Sequence, residues 1–326
     1  MSGGLPAIDD TLYPDLIARF AADLDEIGGR AGRLGIAVSG GPDSVALLLL
    51  ANALDADIAA ITVDHRLRPE SAREAAQVAE ICAAIGVEHA IVQVEVAPGN
   101  RQARARDARY AAIADWAQGR RIAFVATAHH ADDQAETLMM RLNRSSGLSG
   151  LAGVRRQSTL SGTDIAILRP LLKWRKAELE RIAQACPFAI ADDPTNRDMA
   201  YDRAAMRQQL SRADWIDPAA LAQSAALLGE AEDYVRQQIA RRYADHVRVR
   251  DGEVQYRPGP SRFENIEIVR LIIAARAREP GRADIDRLID RLESGRSAQL
   301  GGILAKSMND GEPLWSFAPE PPRRGV

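Results

Sequence analysis

The 326-residue chain predicts an α/β fold, a doubly wound parallel sheet followed by a smaller, mostly helical C-terminal domain. Strand-like apolar runs alternate with helical segments through the first part of the chain, a pattern that favours a parallel sheet with ligands at the carboxyl ends of its strands. One such run, 34–38, stops at the Gly-rich turn Ser39-Gly40-Gly41-Pro42-Asp43-Ser44 and resumes at once as the helical stretch 45–50. From about residue 215 helical periodicity takes over, which divides the chain into 1–215 and 216–326 and agrees with its length.

Taken in order, residues 12–29 read as an amphipathic helix through Leu16, Ile17, Phe20 and Leu24 that covers an edge of the following domain. Strands are expected at 34–38, 57–63, 88–96 and 121–127, with helices at 43–54, 69–85 and 100–118 between them. A helix over 174–185 follows a short strand that ends in Arg169-Pro170-Leu171-Leu172, and Asp193-Pro194-Thr195-Asn196 reads as a turn. Asp217-Pro218 opens a long helix, Asp251-Gly252 marks a hairpin within 248–256, and helices are expected at 262–278 and 282–293. A short strand-like end and a Pro- and Arg-rich tail, expected to be disordered, close the chain.

The turn at 39–44 has the chemistry of a phosphate cradle. A helix that starts straight after a strand leaves unpaired N–H groups at the positive end of its dipole, where an anion is held. Gly40 and Gly41 let the backbone approach that anion, Pro42 suits the first helical position, and the Ser39 and Ser44 hydroxyls add donors. Asp43 beside a polyphosphate makes sense as a ligand of magnesium. An ordinary helix cap is the plainer reading of Gly-Gly alone, but not of the whole string. A Walker A loop is excluded, because no lysine follows the glycines and the first in the chain is Lys173. The dinucleotide fingerprint fails on spacing.

Three further clusters stand out, two at expected strand ends and one on a helix. Asp64-His65-Arg66-Leu67-Arg68 follows the second strand, with Ser71 and Glu74 in the next turn. Arg101, Arg104, Arg106 and Arg109 precede Tyr110 on the third helix, where a solvated charged face is the plain alternative to anion binding. Thr127-Ala128-His129-His130-Ala131-Asp132-Asp133-Gln134-Ala135-Glu136-Thr137 follows the fourth strand. Within it Asp132 with Glu136 and Asp133 with Glu136 are alternative carboxylate pairs on one helix face, suited to magnesium or an ammonium group. A zinc site lacks the usual spacing, and acidic residues complementing the helix dipole remain an alternative. The Gly- and Ser-rich stretch 144–154 is too long for a simple turn and reads as a flexible connector.

S-G-G-x-D-S at 39–44 resembles the PP-loop of the N-type ATP pyrophosphatase superfamily. Together with V-D-H-x-L-R, A-R-D-A-R-Y, T-A-H-H-x-D-D-Q-A-E-T and R-P-L-L in that order, it is similar to the tRNA(Ile)-lysidine synthetases over residues 34–207. The resemblance implies a Rossmann-like PP-loop domain and an ATP-dependent ligation of free L-lysine to C2 of the wobble cytidine of CAU-anticodon tRNA(Ile), through an adenylated cytidine, with AMP and pyrophosphate released. It implies ATP binding by Ser39, Gly40, Gly41, Pro42, Asp43, Ser44, Asp64 and His65, and catalysis by Asp43, His130, Asp133 and Glu136. It further implies Mg2+ at Asp43 and Asp133, RNA or phosphate contacts by Arg106, Arg109, Arg203 and Arg207, and a tRNA grip by residues 216–326. Which carboxylate meets lysine and which meets metal stays open. Ser145 stands where the family has the first glycine of its active-site loop, and Ala204 where it has Asn.

Composition limits the alternatives. The net charge of −3 excludes a global basic field, so RNA must be held by local contacts. Of 42 basic residues only Lys173, Lys176 and Lys306 are lysines. Cys82 and Cys186 are far apart and read as buried free thiols, and the missing C-x-x-C argues against a tRNA thiolase. A small-molecule amide ligase, such as an NAD or GMP synthetase, would lack the D-H-x-L-R and H-H-x-D-D strings. A non-catalytic nucleotide-binding module would have little reason to keep Asp43, Asp133 and Glu136 together. No leader or membrane-spanning run is visible, which places the chain in the cytoplasm, and a homodimer is one assembly the sequence allows.

Overall fold

The computed structural model describes residues 13–54, 56–66, 70–97, 99, 101–190, 202–250, 252–309 and 312–320. The expected Asp193–Asn196 turn, Leu67, Arg68, Asp251 and the final tail lie outside them. The chain forms two compact units, 1–230 and 231–326. Their division falls inside a helix, later than the 215/216 boundary expected from periodicity.

The first unit runs α1 (Pro14–Asp25), β1 (Leu34–Ala37), α2 (Pro42–Ala53), β2 (Ile58–Asp64), α3 (Ser71–Ala84), β3 (Glu88–Gln93), α4 (Arg101–Gly119), β4 (Phe124–Ala126) and α5 (Ala131–Asn143). It continues through α6 (Leu148–Leu151), β5 (Gln157–Thr159), β6 (Ala166–Leu168), α7 (Lys176–Gln184), α8 (Asp202–Ser211) and the start of α9 (Pro218–His246). The sheet order is β3-β2-β1-β4-β6-β5. All neighbours are parallel except the β5–β6 pair at one edge, which is antiparallel. The winding reverses between β1 and β4, so the loops after those two strands diverge and leave a crevice at their carboxyl ends.

Core packing explains the order. The α2 run from Val45 to Ala51 is buried on every side, enclosed by β1 together with Phe20 and Leu24 of α1 and Leu179 and Ile182 of α7. A helix apolar all round fits only such a place. On the opposite face of the sheet, Ile113, Trp116 and Ala117 of α4 pack with Ile61, Val125 and Ile167. Gly35 in β1 makes this possible, since a Cβ there would come within 2.8 Å of the Trp116 ring.

The second unit contains the rest of α9, β7 (Val247–Arg250), β8 (Glu253–Tyr256), α10 (Arg262–Ala274), α11 (Arg282–Glu293), β9 (Ala298–Leu300), β10 (Ile303–Asn309) and β11 (Pro313–Pro319). The helices and the 248–256 hairpin begin where periodicity puts them, though α10 ends at Ala274, short of the expected 278. Beyond that expectation, the strands join in a five-stranded antiparallel sheet, β7-β8-β11-β10-β9. Ile268, Ile272, Ile285 and Ile289 of the helices bury with Tyr256, Trp315 and Phe317 of the sheet. Strand β11 begins and ends on prolines, which read as breakers in isolation and are tolerated at strand ends.

Candidate active site

The loop after β1 is closed by its own hydroxyls. Ser44 Oγ donates to Gly41 O at 2.9 Å and accepts from Ser39 N at 3.1 Å, while the two serine Oγ atoms lie 3.1 Å apart. Gly40 has φ +93°, a conformation that favours glycine. Gly41 is the N-cap of α2, Pro42 follows it, and no side chain caps the helix, which leaves the start of α2 open to an anion. Asp43 stands in this first turn, and its Oδ1 is buried without a hydrogen-bond partner.

Across the crevice, the chain leaving β4 places His130 at the N-cap of α5. His130 Nδ1 accepts from Asp133 N at 3.3 Å, and Asp133 Oδ2 accepts from His130 N at 3.2 Å, a reciprocal capping box. That bond puts the neutral ring's proton on Nε2, which lies 3.6 Å from Asp43 Oδ2 and 3.6 Å from Asp133 Oδ2. Burial disfavours a charged His130 ring, but the carboxylates of Asp43, Asp133 and Asp132 outweigh it and raise its pKa. Burial likewise works against ionised Asp133, and His130 with Arg203 overcomes it and holds that carboxyl below the usual range.

The structure distinguishes the alternative carboxylate pairs. Asp132 turns away toward α7, accepting from Lys176 N at 2.8 Å and from Arg175 Nη2 at 3.2 Å. Asp133 and Glu136 are brought together by Arg203, which donates to Asp133 Oδ1 at 2.9 Å and to Glu136 Oε2 at 2.8 Å. Arg207 donates to Glu136 Oε1 at 2.6 Å, and Glu136 is buried. Arg203 and Arg207, expected as RNA contacts, therefore face the α5 carboxylates here. A buried carboxylate needs such partners to stay ionised.

The second strand's end is less exposed than expected. Asp64 is buried and accepts from Arg66 N at 2.8 Å, fixing the turn in which Arg66 takes φ +51°. His65 accepts from Arg109 Nε at 3.3 Å, and its Nδ1 is buried without a partner. Arg106 lies over the Tyr110 ring at 4.9 Å. The β2 end and α4 thus meet, but among the described residues neither forms an ion pair with Asp43, Asp133 or Glu136.

Several residues of this region were not singled out from sequence. Gln134 is buried on α5 and clamps Val154 through two 2.7 Å bonds, which ties down the 144–154 stretch. Arg169 is buried with its Nη1 on Arg155 O and Ser158 Oγ, and it has no carboxylate partner among the described residues. Thr62 Oγ1 donates to Val38 O at 2.8 Å, so His89 Nε2, 2.9 Å away, must donate to Thr62. That chain crosses three strands to reach the peptide at which the phosphate loop begins. Gln134 and Arg169 lay inside matched strings, whereas Thr62 and His89 carried no signal.

The donor set suits magnesium. Among the described residues no three His, Cys, Asp or Glu side chains gather as a metal cage. Magnesium needs none, since it takes one or two carboxylates and completes its shell with phosphate and water. The orphaned Asp43 Oδ1 beside the phosphate loop meets that demand.

A sheet reversing between β1 and β4, with a Gly-turned helix start facing a carboxylate cluster, defines an α/β protein built to handle nucleotide phosphates. Residues 14–213 match the model of the PP-loop domain family. A relative from Zymomonas mobilis, called tRNA(Ile)-lysidine synthase, is 39% identical over 304 residues, covering 90% of each chain. One of the same name from Novosphingobium aromaticivorans is 38% identical over 312 residues, covering 94% of each. The chain belongs to the tRNA(Ile)-lysidine synthase family of PP-loop proteins. Among solved structures, the U34-tRNA thiolase NcsA from Methanococcus maripaludis shares the fold, with a TM-score of 0.54, 16% identity and coverage of 69% of this chain and 78% of that one. No described helix is long and apolar enough to cross a membrane.

Proposed function

We propose that the chain joins free L-lysine to C2 of the wobble cytidine in CAU-anticodon tRNA(Ile) at the expense of ATP. The observation that carries this reading is the meeting of Asp43 from the phosphate loop with His130 and Asp133 from the next loop, beside Glu136. In the first step the cytidine O2 attacks the α phosphorus and pyrophosphate leaves. The N–H groups at the start of α2, in a loop that the Ser39 and Ser44 hydroxyls close, favour that step, because the leaving group gains charge as the bond breaks. Asp43 and Asp133 would hold magnesium, which when bound supplies positive charge to the phosphates.

In the second step the lysine ε-amine attacks C2 and AMP leaves. Asp133 and Glu136 attract the ammonium, which must give up a proton before it can attack. Arg203 pairs with both carboxylates and Arg207 with Glu136, holding them in place until then. His130, set between Asp43 and Asp133, is placed to pass that proton. Asp64 and His65 border the adenosine, Arg106 and Arg109 face the acceptor's phosphates, and residues 216–326 grip the tRNA body.

The test is incorporation of labelled lysine into a CAU-anticodon tRNA(Ile) transcript with ATP and magnesium, against tRNA(Met). Label in tRNA(Ile) alone, and only with ATP, is expected. No label in either RNA despite ATP binding would leave a PP-loop enzyme with another acceptor.

A further inference from the structure

Trp215 is 85% exposed, whereas Trp116, Trp174 and Trp315 are buried. It sits between α8 and α9 on a segment fastened at both ends to the first turns of α5. On one side, Arg203 and Arg207 of α8 hold Asp133 and Glu136. On the other, Asp217 accepts from Ala219 N at 2.9 Å, capping α9, and pairs at 3.5 Å with Arg175, whose guanidinium also holds Asp132. Successive turns, Arg212 N to Gln209 O, Ala213 N to Leu210 O and Ile216 N to Ala213 O, tighten the backbone between these anchors.

The indole is therefore held out to solvent by the same carboxylate-bearing helix that lines the candidate site. Nothing in its own packing requires this, since exposing so large an apolar ring forgoes burial. The neighbouring Arg212 is exposed and has no partner among the described residues. An aromatic face beside an uncommitted guanidinium, at the rim of a site for single-stranded RNA, matches one chemistry: stacking of an unpaired base with a cation for its phosphate.

We infer that Trp215 is a stacking platform for an unpaired base of the RNA acceptor, with Arg212 at that nucleotide's phosphate. The inference rests on the proposed function in requiring an RNA acceptor. It is tested on the full chain with a CAU anticodon stem-loop, a fully paired hairpin of the same stem as control, and acrylamide as quencher. With the other three tryptophans buried, acrylamide reports on Trp215. The stem-loop is expected to shield and quench Trp215, and the paired hairpin is not.

Trp215→Phe should lose the optical signal while binding within a few fold. Trp215→Ala should weaken stem-loop affinity about 5- to 150-fold with its Tm and ATP affinity unchanged. Wild-type protein that binds the stem-loop while Trp215 stays equally quenchable, or a Trp215→Ala variant that binds as tightly, overturns the inference alone. Shielding by the paired hairpin overturns its restriction to unpaired bases. Wild-type protein that binds no CAU loop overturns the RNA reading beneath it.

Discussion

At the scale of single residues the site depends on charges that burial would otherwise forbid. Asp43 is only half-buried and differs from them: one oxygen faces His130, the other is shielded without a partner, and neither is spent on the fold. Asp43→Ala should abolish pyrophosphate release and leave tRNA affinity within a few fold; loss of tRNA binding would show instead that the loop has been misassigned. The adjacent histidines predict opposite responses to pH. Burial, with Arg169, Arg203 and Arg106 opposing the pull of Asp133, pushes His129 down to about 4. Between the ordinary value of 6.5 and about 4 the unfolded chain binds a proton that folded His129 refuses, so this residue's contribution falls as pH drops through that window. His130, raised above 6.5, contributes stability that is complete below that value and lost as pH rises through the folded pKa. Melting temperatures of His129→Asn should therefore fall less steeply than wild type as pH drops from 6.5 toward about 4, and those of His130→Asn should fall less steeply than wild type as pH rises above 6.5. Parallel curves would contradict both assignments.

At the scale of elements, helix ends carry the least expected chemistry. Helix α5 stops in a motif where Ser146 N reaches back to Arg141 O at 3.0 Å and Ser145 N to Leu142 O at 3.0 Å. Ser145 pays for that geometry with φ +52°, where the family sequence pattern has glycine. Arg121 ends α4 in the same way, with φ +57°. Ser145→Gly and Arg121→Gly should each stabilise the protein by roughly 0.5–1 kcal/mol, because relief of left-handed strain outweighs glycine's added chain entropy. A urea midpoint that moves down in both variants would refute this. Such ends also show what the sequence made legible. The Ser39–Ser44 turn, the alternation of β1 to β4 with their helices, and the Asp133–Glu136 pair were readable because each is a local pattern. The turning of Asp132 toward α7 and the pairing of Glu136 with Arg203 and Arg207 were not, since both depend on helices that meet only after folding. The C-terminal sheet escaped for a related reason: β9 has only three residues, and β11 lies between prolines.

At the scale of the molecule, charge decides how RNA can be held. The net charge is −3, and part of the arginine complement is committed to carboxylates. Arg262 alone meets Asp286, Asp290 and Glu293, while Arg33 and Arg120 share Glu88, and Arg203 and Arg207 share Glu136. A guanidinium paired in this way releases no counterion when RNA arrives, or must first leave its carboxylate. Among the described residues Arg106 and Arg212 form no ion pair, and both belong to the proposed RNA contacts. Each phosphate neutralised adds about −0.7 to −0.9 to the slope of log affinity against log salt. With a net charge of −3 and the paired arginines releasing no counterion, the slope for CAU-anticodon tRNA(Ile) is expected to be shallower than about −5 between roughly 50 and 200 mM salt, with most discrimination surviving at the upper end. Affinities measured across that range decide the matter. A slope near −10, typical of proteins held by the backbone charge alone, would mean that the ion pairs open on binding and that bulk attraction, not shape and stacking, carries the complex.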